Sequence, residues 1–187
     1  MAHKLWSPLV DRFADKDIIV MKRSFNCLQI MCKTCGDFIR QRTIKEVIPK
    51  ILLFLSSQSQ ISYKKDKASA YRFTIAYQFQ IDILCGIGSI AVDLQLLDKE
   101  LWQLIVAIMP YLSTYQPIAL QESAITALQT ISESDVSSVF YYLKMSFSCE
   151  ETITQNENKI FSDLRFGQNN KEFAKNVTKL LDYLTLN

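Results

Sequence analysis

Residues 34–50, TCGDFIRQRTIKEVIPK, and residues 111–124, YLSTYQPIALQESA, each carry one amphipathic helix into the next through a short polar corner. The two corners belong to helix pairs laid one after another along the chain. That arrangement predicts an all-α fold: a HEAT-like α-solenoid of about four stacked antiparallel helix pairs. Such arrays build extended surfaces on which other proteins assemble.

Outward from these corners the punctuation stays helical. Only 4 glycines and 4 prolines occur in 187 residues, well below average usage, and no window alternates as a half-buried strand does. Ser7-Pro8 reads as a cap and first turn opening a short helix with Leu9, Val10 and Phe13 on its apolar side. Asp15-Lys16-Asp17 forms a corner. Val20, Met21, Phe25, Leu28, Cys32 and Cys35 then recur at helical spacing as far as Gly36, which reads as the terminator, with Asp37 capping the next element. Pro49 predicts a kink or restart between a short helix and a longer one.

Further on, polar residues 56–67, ending in Lys64-Lys65-Asp66-Lys67, predict an exposed loop. Residues 68–94 predict one helix covered on two faces, by Tyr77, Ile81, Leu84 and Gly88 and by Ile75, Phe79, Ile83 and Ile87. Leu101, Leu104, Ile105, Ile108 and Leu112 form a single stripe, Gln116-Pro117 restarts the chain into 118–131, and residues 135–147 form a shorter helix. Residues 149–170 read as a polar insertion, and 171–184 as a terminal helix with Phe173, Val177, Leu180, Leu181 and Leu184 on one face. The second helices of successive pairs begin near Asp17, Ala68, Pro117 and Lys171, a period of about fifty residues, slightly above the ~40–47 of HEAT repeats. Ser24 and Ala124 stand where neighbouring helices come close. The whole chain, 1–187, reads as a single domain with polar loops near 56–67 and 149–170.

Composition narrows the function classes. A chain this long with 49% hydrophobic residues buries roughly 70% of its unfolded surface without staples. Its net charge of +2, from 21 basic and 19 acidic residues, lacks the clustered excess that nucleic acid or an anionic membrane demands. Five cysteines without framework spacing fit a reducing compartment, and the N-terminus has no apolar signal run, so the expected location is cytoplasmic, and nuclear as well. The longest apolar runs fall short of the ~20 residues that span a bilayer.

The candidate chemistry is thin. Cys32-Lys33-Thr34-Cys35 lacks the second pair or the histidines a zinc site needs, and a helix rather than a strand precedes it, so it reads as packing. His3 is the sole histidine. Gly86-Ile87-Gly88 has no third glycine and no preceding strand, and reads as a close helix contact. Asp15, Asp17, Asp37, Asp98 and Asp135 stand at helix starts, where carboxylates cap exposed N–H groups. No catalytic residue, cofactor or metal is expected. The densest basic cluster, with its apolar neighbour, is the candidate protein-binding patch: Phe38, Arg40, Arg42, Lys45 and Lys50. One arginine there also reads as an internal ligand for carbonyls of the neighbouring repeat. The competing reading is a helical-repeat nucleic-acid-binding module using Lys64, Lys65, Lys67 and Tyr71.

Residues 34–42 followed by Val47-Ile48-Pro49-Lys50 resemble the C-terminal region of the Tel-two-interacting protein one family, the large HEAT-repeat subunit of the Triple T complex. Residues 76–88, AYQFQIDILCGIG, residues 111–124 and the terminal Asn176-Val177-Thr178-Lys179-Leu180-Leu181 extend the resemblance over nearly the whole chain. It implies a non-enzymatic scaffold that binds the other two Triple T subunits. Through them it implies indirect links to heat-shock chaperone and RuvB-like machinery, and a co-chaperone role in the maturation and stability of phosphatidylinositol-kinase-related kinases, with DNA-damage and TOR signalling downstream. Family members are several times longer than this chain.

Overall fold

A computed structural model describes residues 2–65, 69–147 and 171–186. Among these the regular elements are helices: α1 (Ala2–Arg12), α2 (Ile18–Arg42), α3 (Ile48–Ser62), α4 (Ser69–Arg72), α5 (Ile75–Asp93), α6 (Asp98–Ile108), α7 (Ile118–Ser134), α8 (Val136–Phe147) and α9 (Lys171–Leu186). They pair as α1 with α2, α3 with α5, α6 with α7, and α8 with α9. The second members stack in sequence, α2 on α5, α5 on α7 and α7 on α9, while α3, α6 and α8 form the other layer. Four stacked pairs are what the two corners predicted.

The inner helix α5 explains the cohesion of the stack. Its length and apolar composition would suffice to cross a membrane, yet α2 covers it on one side and α7 on the other. Phe79 meets Phe25 of α2 edge-on at 6.1 Å between centroids and Phe54 of α3 at 4.8 Å, so one ring joins three helices. Gly86 and Gly88 set the two close approaches. A Cβ on Gly86 would run into Gln29 and Phe25 of α2, and one on Gly88 would lie 2.9 Å from Thr130 Cβ and 3.0 Å from the Ala127 carbonyl of α7.

Several expectations need correction. The first helix begins at Ala2, ahead of Ser7-Pro8, because Trp6 is buried and its indole Nε1 donates to Glu46 Oε2 at 2.8 Å. Pro8 therefore lies inside α1. Gly36 does not end α2; the break falls on Cys35 (φ −146°, ψ 38°) and the helix resumes at once. Gly36 instead serves contact, since a Cβ there would stand 2.7 Å from the Asp93 carbonyl at the end of α5. Residues 56–62 are helical, not loop: Ser59 and Ser62 bond carbonyls of their own helix, and both face the buried Gln116. The expected single helix 68–94 is interrupted before Ile75, where the Thr74 hydroxyl accepts the Tyr77 N–H and starts α5 afresh. The expected insertion at 149–170 lies outside the described residues.

Pro49 does restart the chain. Just before it, the Ile48 N–H reaches back five residues to the Thr43 carbonyl, giving a wide π-helical turn over Thr43–Val47. Widening at this point relieves the clash that the proline ring would make in a regular helix.

Candidate protein-binding site

The corner at 111–124 is where the polar groups converge. The Tyr111 hydroxyl lies 2.8 Å from the Leu55 carbonyl of α3 and 3.1 Å from Gln80 Oε1 of α5. Gln116 Nε2 donates to the Ser59 carbonyl at 2.8 Å, and its Oε1 accepts the Ser62 hydroxyl at 2.6 Å. Asn176 of α9 donates to the Leu112 carbonyl and to Gln121 Oε1, both at 2.8 Å, and Gln121 in turn donates to the Gln116 carbonyl. Gln80, Tyr111, Gln116 and Asn176 are buried, and each has its partners, as buried polar groups must. This network ties α3, α5, the α6–α7 corner and α9 together.

Alongside it runs a surface groove between α3 and α6, closed at one end by the start of α9, with a volume of about 780 Å³. Its apolar lining includes Pro49, Leu53, Trp102, Val106, Pro110 and Phe173. Leu53 is 73% exposed although Ile51 and Leu55 on either side are buried. At the closed end Glu172 Oε2 accepts the Tyr63 hydroxyl at 2.6 Å; burial, then the carboxylate, push the Tyr63 pKa up to about 12.

The five sequence-predicted site residues separate into different roles. Arg40 is the internal arginine: its Nε donates to the Leu94 carbonyl at 2.8 Å, and its guanidinium reaches Glu100 Oε2 at 2.6 Å and the Gln95 carbonyl at 3.4 Å. Lys50 donates to the Val10 carbonyl at 3.0 Å, near the end of α1. Phe38 is 63% exposed, Lys45 is exposed and Arg42 is half-buried. Phe38, Arg42 and Lys45 thus remain on the surface, while Arg40 and Lys50 hold the repeats together. Of the residues weighed for nucleic acid, Lys64 sits over the Tyr63 and Tyr115 rings, and the Tyr71 hydroxyl accepts from Gln80. Lys67 lies outside the described residues.

Cys32 is buried, and burial holds its thiol near pKa 12, while Cys35 Sγ donates to the Met31 carbonyl at 3.1 Å. Both are built into the bend of α2. Among the described residues no cluster of His, Cys, Asp and Glu could hold a metal ion.

The groove escaped the sequence reading, although a signal was present: residues 51–55 are five consecutive apolar residues, and no single helix face can hide them all.

Residues 1–139 match the family model described as the TTI1 C-terminal TPR domain. The chain belongs to the TTI1 family. It is 37% identical over 124 residues to the mouse TELO2-interacting protein 1 homolog, covering 66% of this chain and 11% of that protein. It is 32% identical over 143 residues to the human TELO2-interacting protein 1 homolog, covering 76% of this chain and 13% of that protein. The chain therefore spans only about an eighth of the curated relatives it matches. No solved structure matches it. The TTI1 domain is described in terms of TPR repeats where the spacing suggested HEAT repeats. Both are stacked helix hairpins, and the starts of α2, α5, α7 and α9 at 18, 75, 118 and 171 are all farther apart than the ~34 residues of a TPR repeat, with only the step from α5 to α7 inside the ~40–47 of a HEAT repeat.

Proposed function

We propose that this TTI1-family chain is a non-enzymatic protein-binding scaffold within the Triple T co-chaperone adaptor, serving the maturation and stability of phosphatidylinositol-kinase-related kinases. The observation that carries the reading is the open apolar groove on a stack of helix pairs. A cross-linked repeat stack with an exposed apolar channel is suited to hold a partner, and exposed contiguous apolar surface on a folded domain marks interaction sites. Two relatives are named for interaction with TELO2, which makes TELO2 and the remaining Triple T subunit the proposed direct partners. Heat-shock chaperone and RuvB-like machinery would join through them, in the cytoplasm and the nucleus.

The test is affinity purification of the tagged chain from cell extract at two salt concentrations, read by mass spectrometry. Recovery of both Triple T subunits at the higher salt is expected, because apolar contacts resist screening. Recovery of general chaperones alone would reject the scaffold reading. Nucleic acid lost steeply with rising salt would favour the nucleic-acid alternative instead.

A further inference from the structure

We draw no further inference here: the strongest candidate, the apolar groove between α3 and α6 lined by Leu53, Trp102 and Val106, carries nothing beyond the scaffold reading because nothing in the structure shows what covers it.

Discussion

Arg40 and Glu100 are 60 residues apart in sequence and 2.6 Å apart in space, and the same guanidinium also takes the Leu94 and Gln95 carbonyls. One side chain thus joins α2 to the turn between α5 and α6. Glu100 simultaneously accepts the Leu97 N–H at 3.0 Å and so fixes the start of α6. An arginine is required because its planar fork reaches a carboxylate and a carbonyl at once, which a lysine ammonium on a flexible stem cannot reproduce.

Arg40→Lys is therefore expected to destabilise the fold by about 1.5–3 kcal/mol, the range for hydrogen bonds to charged groups. The swap Arg40→Glu with Glu100→Arg should not restore stability, because the carbonyl bonds are lost in either order. Urea unfolding in a double-mutant cycle checks this; full recovery in the swap would show that only the ion pair matters. Since Arg40 variants disturb the fold, a binding role for the 38–50 region is tested cleanly at Lys45.

The buried amide of Gln116 leads to the second prediction. Replacing it with leucine keeps the volume but removes two hydrogen bonds between the corner and α3, the donor to the Ser59 carbonyl and the acceptor of the Ser62 hydroxyl, which falls back on the Gln58 carbonyl of its own helix. Two lost buried hydrogen bonds at about 1 kcal/mol each cost about 2 kcal/mol, or roughly 4–8 °C in midpoint for a chain of this size. Tyr111→Phe should cost about half as much. Calorimetry decides, and an unchanged midpoint for Gln116→Leu would show that the network contributes no stability.

How far the sequence reveals this molecule depends on which signal each element carries. Helix pairs show through because apolar residues such as Leu101, Leu104, Ile105 and Ile108 repeat with the turn of the helix, and all four are buried. The bend of α2 was misplaced by one residue because glycine usually ends helices, whereas Gly36 is needed for its missing Cβ beside Asp93. Residues 56–62 read as loop because serine and glutamine count as polar, yet the Ser59 and Ser62 hydroxyls bond carbonyls of their own helix and both residues are buried beneath the corner that leads into α7. The patch at 38–50 was half legible: a cluster of cations is visible in sequence, but whether Arg40 faces solvent or a carbonyl 54 residues away is a tertiary fact.

The glycines of α5 offer a contrast within one helix. Gly88→Ala would push a methyl against Thr130 Cβ and the Ala127 backbone, neither of which can swing aside. Overpacking of this kind costs about 1–3 kcal/mol and outweighs the gain of up to ~1 kcal/mol in helix propensity. At Gly86 the nearest obstacle is the far end of the Gln29 side chain, which can rotate away, although Phe25 Cε1 is 3.0 Å from the added carbon. Gly86→Ala should be clearly the milder substitution. Thermal melts of the two variants give the order, and a reversed order would mean that Phe25 rather than Ala127 is the rigid neighbour.

Cys32 and Tyr63 together predict an alkaline limit. Burial raises the Cys32 thiol from 9.0 to about 12, and burial with the Glu172 hydrogen bond raises Tyr63 from 10.0 to about 12. Both groups hold their protons more tightly when folded, so their contribution is complete below the unfolded values and is lost as pH rises through the folded ones. Stability should therefore fall between about pH 9 and 12, and Cys32→Ala should flatten the lower part of that decline. Since only a thiolate attacks alkylating reagents, Cys32 should stay unmodified at pH 8 while the exposed Cys27 and Cys85 react. Peptide mapping after a short iodoacetamide pulse measures this directly. Modification of Cys32 at the rate of Cys27 would mean that α2 opens at its bend on that timescale, loosening the joint on which the Arg40 clamp depends.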